Sequence, residues 1–332
     1  MRFAVLGAGS FGTAVANSLA RRGLETVLWC RDPEQAQVIA SVHRNPRHLK
    51  GYGLAPSLEA TPDMAAALAT ASHVITAIPT QSLRDVLERV RGLPVEGKRF
   101  LSLSKGIEIA TGLLPHRIFA EVLPGASLAA MSGPSHAEEV VRDLPTAVIA
   151  ASEDPEAAVD WQARMNSPHF RVYTSGDVLG VEMGAAVKNV IAIAVGVACA
   201  LELGDNARAA LATRGLAEIM RLGVAMGANP LTLAGLAGVG DLMATCYSAH
   251  SRNFRFGLAV GRGKTPALAA EEVGEVVEGA HTVRALTAYA RRAGIELPIA
   301  EGVFAFLYEG ASLHEVIEGL LFREPKPENR PA

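Results

Sequence analysis

Cysteine is scarce in this chain. Three occur in 332 residues (Cys30, Cys199 and Cys246), far apart and without a C-x-x-C pair. That spacing excludes a disulfide framework and points to a reducing, cytoplasmic setting. Nine histidines form no H-x-x-x-H and no Cys/His cluster, so no metal site is expected. The net charge is only -3, and no block of one sign stands out. There is thus no footprint for nucleic acid or for a membrane surface. Val190–Leu201 carries no charge, but the run is too short to span a bilayer and has the length of a buried core helix. No transmembrane segment is expected. Residues Met1–Leu6 lack the apolar core of a secretory signal. Internal repeats and low-complexity linkers are missing too.

What is present is apolar bulk, 49% of the residues, enough for two domains of roughly 150 residues each. Aromatics make up only 5%, while 32 glycines and abundant alanine suit close helix packing and cofactor-contacting turns. Arg2–Leu6 reads as a buried strand, followed by Gly7-Ala8-Gly9-Ser10-Phe11-Gly12 and a helical run from Thr13 to Arg22. Glu25–Cys30 then reads as a second strand. Strand, G-x-G-x-x-G, helix, strand is the context that makes the glycine motif informative. Gly7 permits the tight turn, Gly9 lets the backbone approach a pyrophosphate, and Gly12 lets helix and strand pack closely. The helix N-terminus supplies amides for the phosphates. Past the second strand, Arg31 can hold a 2′-phosphate and Asp32 can serve a plain ribose. NADP(H) is favoured or tolerated, and NAD(H) remains open.

Further strands are expected at Val74–Ile78, Phe100–Leu103, Leu128–Met131, Thr146–Ala150 and Phe170–Tyr173, with helices at Asp32–Asn45, Ser82–Val90 and Pro155–Met165. Ligands in such sheets bind beyond the carboxyl ends of the strands, which places Lys105 to meet cofactor or substrate. Ser135 reads as an N-cap with two glutamates in the following turn, and His136 as a loop residue.

After Tyr173 strand signals vanish and long helical runs take over. The expected organisation is a doubly wound α/β nucleotide domain (1–175), an all-α domain (176–323) and a disordered tail (324–332). On a helix, Lys188 has Gly184, Ala185, Ile191 and Ala192 as neighbours. Three of the four are small, which leaves room beside the ammonium. Apolar surroundings lower an amine's pKa, so such a lysine can exchange a proton near neutral pH. The ordinary alternative is a lysine whose head reaches water. Asp241, after a glycine turn, is either a cap or a carboxylate that orients Lys188. Ser251-Arg252-Asn253 makes an anion-binding helix start of hydroxyl, guanidinium and amides. Glu271, Glu272, Glu275 and Glu278 read mostly as a solvated face.

Assembled in order, these pieces resemble the bacterial NAD(P)-dependent glycerol-3-phosphate dehydrogenase family. The motifs that carry the resemblance are GAGSFGTA (Gly7–Ala14), AIPTQSLR (Ala77–Arg84), SKGIE (Ser104–Glu108), SGPSHAEEV (Ser132–Val140), GAAVKNVIAIAVG (Gly184–Gly196), GVGDLMATC (Gly238–Cys246), SRNFRFG (Ser251–Gly257) and VVEGAHT (Val276–Thr282). The resemblance implies a Rossmann-type domain followed by a helical domain like the C-terminal one of 6-phosphogluconate dehydrogenase. It implies hydride transfer between NAD(P)H and C2 of dihydroxyacetone phosphate, giving sn-glycerol 3-phosphate for phospholipid synthesis. Lys188 is then the proton acceptor in oxidation and the donor in reduction. Lys105, Gly133, Ser135, Asp241, Ser251, Arg252 and Asn253 match the family's substrate positions. Ser10, Phe11, Arg31, Lys105, Ala137, Arg252, Val276 and Glu278 match its cofactor positions. A homodimer is compatible with the helical half. His48-Leu49-Lys50 and Tyr247 depart from the family pattern. Two other readings share the same pieces: a β-hydroxyacid dehydrogenase of the 6-phosphogluconate type, and a dinucleotide sensor without chemistry.

Overall fold

A computed structural model describes residues 1–322 and Pro327. The tail expected to be disordered, 324–332, lies outside the described residues apart from Pro327. The chain divides into two compact units: Met1–Lys105 with Leu113–Glu182, and Gly106–Gly112 with the chain from Met183 onward.

The first unit carries one sheet of eight strands: β1 (Arg2–Leu6), β2 (Glu25–Trp29), β3 (Glu59–Thr61), β4 (His73–Thr76), β5 (Arg99–Ser102), β6 (Ser127–Ser132), β7 (Thr146–Ala151) and β8 (Phe170–Ser175). Their order is β3-β2-β1-β4-β5-β6-β7-β8. Every pairing is parallel except β6 with β7. Parallel strands covered on both faces must be apolar on both, and β1 shows why its sequence has no alternation. Phe3 and Val5 enter the core on one face with Leu28, Ile75 and Trp161. Ala4 and Leu6 enter the other with Trp29, Leu87 and Phe100. The chain order reverses between β1 and β4, so the crevice for a ligand opens at the carboxyl ends of those two strands. The short β3 and the helix Met64–Ala69 were not expected. The three residues Glu-Ala-Thr of β3 have no apolar run, and pairing with β2 alone makes them a strand.

Among the described residues the second unit is helical. Its central element is the helix Val178–Ala200, which begins in the first unit and belongs to the second from Met183. By length and composition it could cross a membrane, with a mean hydropathy of 1.8, yet 78% of that window is buried inside the protein. That is where a core helix places its surface. Lys188 sits ten residues after the start, Val178. Other backbones press closely on this helix. A Cβ at Gly196 would lie 2.3 Å from Phe254 O, and one at Gly257 would lie 2.1 Å from Ile193 O. Glycines at both positions let the helix Arg252–Gly261 cross almost backbone to backbone.

Candidate active site

In the first unit the glycine turn is built as its sequence demands. Gly7 adopts φ +113°, and a Cβ there would lie 2.5 Å from Ala77 O beyond β4. At Gly12 a Cβ would lie 2.0 Å from Gly7 O, so the helix Ser10–Arg21 packs against its own turn only through glycine. Gly9 differs, because a Cβ would meet nothing within 4 Å. Open space over Gly9 beside a helix N-terminus with no side-chain cap suits a pyrophosphate. Two buried amides brace the turn from behind. Gln35 Nε2 and Asn45 Nδ2 donate to Ala8 O at 2.9 and 3.0 Å. Ser10 is buried and Phe11 half-buried at the head of this helix.

Arg31 is exposed just past β2, where a cofactor's ribose phosphate would be met. Asp32 is already engaged. Its Oδ1 accepts from Glu34 N at 2.9 Å, capping the helix Pro33–Val42, and its other oxygen pairs with Arg47. Lys105 follows β5 and is half-buried. Before it, Ser104 Oγ donates to Ile78 O at 2.7 Å, tying the β5 exit to the β4 exit. Gly133 has φ +142°, and a Cβ would lie 2.9 Å from Val148 Cα, so glycine is required there for packing alone. Ser135 corrects the expectation of an N-cap. Its Oγ donates to Gly133 O at 2.9 Å, and the N-cap of the short helix Ala137–Val140 is His136, without a side-chain cap. Ala137 is buried at the first position of that helix.

In the second unit Lys188 is 5% exposed. Its Nζ donates to Asp241 Oδ1 at 2.5 Å and to Thr245 Oγ1 at 2.8 Å. Thr245 Oγ1 donates onward to Asp241 O at 2.6 Å. The room foreseen beside Lys188 is partly filled by backbone, since a Cβ at Gly184 would lie 2.5 Å from Ala237 O. That contact brings in the π-helical turn Leu236–Gly240, and the helix Asp241–Tyr247 follows it directly. Asp241 is therefore the carboxylate that orients the lysine rather than a cap. Burial disfavours the ammonium while the carboxylate favours it. The charge is held in place by a partner, not merely by an apolar pocket. Cys246 lies beside the pair, and burial pushes its thiol up to about 12. Thr245 went unnoticed in the sequence, although four residues after Asp241 on one helix is the spacing that puts both on one face.

Ser251 caps the helix Arg252–Gly261 by accepting from Phe254 N at 3.2 Å, so the expected helix start is real. Arg252 pairs with Glu275 at 3.1 Å. Asn253 is buried and bonded to Asn189 and to Gly279. Val276 is exposed, and Glu278 opens the helix Glu278–Ala293. Glu278 does not belong to a solvated face. Its Oε2 is buried without a hydrogen-bond partner, and burial raises the carboxyl to about 7 against the opposing charge of Arg252. Glu271 and Glu272 are exposed as expected. Of the two departures, Tyr247 lies under the Arg208 guanidinium at 5.4 Å, and His48 N donates to Asn45 Oδ1 at 3.0 Å. Among the described residues no group of three or more His, Cys, Asp or Glu side chains could hold a metal ion.

Comparison with known proteins agrees across both units. Residues 2–158 match the NAD-dependent glycerol-3-phosphate dehydrogenase N-terminus, and residues 177–318 match its C-terminus. A protein named glycerol-3-phosphate dehydrogenase [NAD(P)+] from Chlorobium limicola is 43% identical over 331 residues, 99% of each chain. Its namesake from Azotobacter vinelandii is 45% identical over 97% of this chain and 95% of its own. The crystal structure of glycerol-3-phosphate dehydrogenase from Coxiella burnetii superposes with a TM-score of 0.94 at 38% identity, covering 97% of this chain and 99% of that one. A ketopantoate reductase from Ralstonia eutropha shares the fold alone, at 16% identity and a TM-score of 0.62. With a Rossmann-type sheet, a helical second unit and matches spanning both, the chain belongs to the NAD-dependent glycerol-3-phosphate dehydrogenase family.

Proposed function

We propose that this protein moves hydride reversibly between NAD(P)H and C2 of dihydroxyacetone phosphate, giving sn-glycerol 3-phosphate for phospholipid synthesis. The observation that carries the reading is the buried Lys188–Asp241 pair in a chain of this family. Bound nicotinamide supplies the hydride. This chain's residues supply the proton, the positive charge and the anion site. As C2 of the ketone is reduced, its oxygen gains negative charge and needs a proton. Lys188 donates one from Nζ and takes it back in the reverse direction. Asp241 and Thr245 fix Nζ at a single position through both states. Ser251, Arg252 and Asn253 would receive the phosphate at the start of a helix. Lys105, Gly133 and Ser135 are assigned to the substrate through the family resemblance, as are Ala137, Val276 and Glu278 to the cofactor.

The turn Gly7–Gly12 would cradle the pyrophosphate, with Ser10 and Phe11 at the helix start and Arg31 toward the ribose. A cytoplasmic setting belongs to this reading, supported by three free cysteines of which two are buried. A homodimer does too, with Leu321 and Phe322 exposed at the end of the helix Leu313–Leu321. Light scattering on the purified chain tests the dimer. The reaction is tested by nicotinamide absorbance with dihydroxyacetone phosphate, run in parallel with NADH and NADPH. Rapid oxidation is expected. No oxidation with this substrate, but turnover of a β-hydroxyacid, would overturn the reading.

A further inference from the structure

The helix of Lys188 carries two other buried polar side chains that the proposed reaction does not use, Glu182 and Asn189. Asn189 is 5% exposed and follows Lys188 directly. Its Nδ2 donates to Ala185 O, four residues back, at 3.3 Å. That turns Oδ1 outward, where Asn253 Nδ2 donates to it at 3.0 Å. Asn253 is 7% exposed, and its own Oδ1 accepts from Gly279 N at 2.9 Å. Two side-chain amides thus run head to tail between a backbone acceptor at one end and a backbone donor at the other. Reversing either amide would set oxygen against oxygen or N–H against N–H. The orientation of each is therefore fixed by Ala185 O and Gly279 N. Gly279 makes the approach possible, since a Cβ there would lie 2.5 Å from Asn189 O and 2.9 Å from Asn253 Oδ1.

We propose that Asn189 is a positioning residue which, through Asn253, holds the Ser251–Asn253 helix start and the Val276–Gly279 segment in register with Lys188. This rests on the functional reading above, in which the first segment takes the phosphate and the second takes the cofactor. The relay also decides what Asn253 offers an anion. Its carbonyl is occupied by Gly279 N and one amide N–H by Asn189 Oδ1, so all its side chain has left to offer an anion is the second N–H, a donor. A buried relay of this kind costs most when one member is removed, because its neighbours lose partners they cannot replace with water. Asn189 itself touches neither the proton-carrying pair nor, on this reading, a ligand.

Asn189→Ala separates this role from a catalytic one. The NADPH Kd, read by nicotinamide fluorescence without substrate, and the KM for dihydroxyacetone phosphate should both rise about tenfold, the size of one buried hydrogen bond. The kcat should stay within about threefold and its pH profile should not move, because a uniform binding loss spares the chemical step. A fall in kcat with both binding constants unchanged would overturn the proposal. So would additive losses in the double variant, because Asn189→Ala should cost nothing further on top of Asn253→Ala. Circular dichroism checks folding, and where the alanine variant unfolds, the near-isosteric Asn189→Leu, which offers Asn253 no acceptor, carries the same cycle. A wild-type enzyme inert toward dihydroxyacetone phosphate would sink the functional reading instead. The cofactor measurement, made without substrate, tells the two failures apart.

Discussion

Lys188 Nζ lies 2.5 Å from Asp241 Oδ1, although 53 positions separate the two residues in the chain. Both are nearly sealed from water, at 5% and 3% exposure. A buried pair is strongly sensitive to loss of one partner, because the other charge remains in the interior. Lys188→Ala should therefore abolish turnover, with a loss of about 10²- to 10⁴-fold or more for a missing general acid. The NADPH Kd should stay near the wild-type value. Comparable turnover in that variant would remove Lys188 from the reaction. Asp241→Ala should also lower the melting temperature, since an unpaired buried ammonium costs about 3–5 kcal/mol.

Arg252 stands at the first turn of its helix and is held by Glu275 at 3.1 Å. Arg252→Ala should raise the KM for dihydroxyacetone phosphate by about 10- to 150-fold, the range for losing charge-assisted hydrogen bonds worth 1.5–3 kcal/mol. Steady-state kinetics with substrate varied at saturating cofactor measures this. An unchanged KM would end its phosphate role.

Arg31 is exposed beyond β2, whereas Asp32 is spent on a helix cap and on Arg47. Arg31→Ala should weaken NADPH by about tenfold, the scale of one exposed-to-half-buried charged hydrogen bond, and leave NADH nearly unchanged. Fluorescence titration with both cofactors decides it. Equal weakening would show that Arg31 does not discriminate the 2′-phosphate.

Glu278 gives a signed pH dependence. Burial raises its carboxyl from 4.5 to about 7 in the folded protein. Between those values the folded state binds more protons at this site than the unfolded state. Its contribution to stability is thus fully present at low pH and is lost as pH rises toward 7. Glu278→Gln should flatten this part of the stability profile and raise stability above pH 7. Urea unfolding at pH 5, 6, 7 and 8 would show it. A profile identical to wild type would mean that the carboxylate is hydrated in solution.

Asp160 shows the opposite sign. Burial acts to raise it, but the hydrogen bond from His73 and the charges of His73, Arg99 and Arg164 outweigh burial and hold it below its ordinary value. Its contribution is present above the usual carboxylate range and is lost as pH falls through the lowered value. Asp160→Asn should reduce stability at neutral pH by about 1–3 kcal/mol and narrow the gap to wild type in acid. Melting curves at pH 7 and pH 3.5 compare the two.

Much of this molecule is legible without coordinates. The glycine turn, the strands of the sheet and the helical second half follow from local patterns: apolar runs of strand length, glycines where the chain turns, and long apolar stretches without alternation. The family motifs single out Lys188, Asp241 and Ser251–Asn253 as the residues of the proposed site. The boundaries shifted where tertiary contacts overrule local signals. β3 is a strand only because β2 offers it an edge, and the helix of Lys188 starts at Val178 with a buried Glu182 in its first turns, whose charge is met by His116.

Which side chains meet is decided by packing alone. Residue spacing cannot say that Lys188 reaches Thr245 as well as Asp241, because that depends on the approach of Ala237 to Gly184. Nor can it say that Ser135 closes a turn instead of capping a helix, or that Asn189 faces Asn253. Glu278 looks solvated beside Glu271 and Glu272, and only the surrounding helices bury its oxygen. Local periodicity and motif order were enough for the fold class, the dinucleotide turn and the family. The tertiary structure decided the partners and the burial of each polar group, because a hydrogen bond between residues 53 or 64 positions apart exists only once the chain has closed the distance.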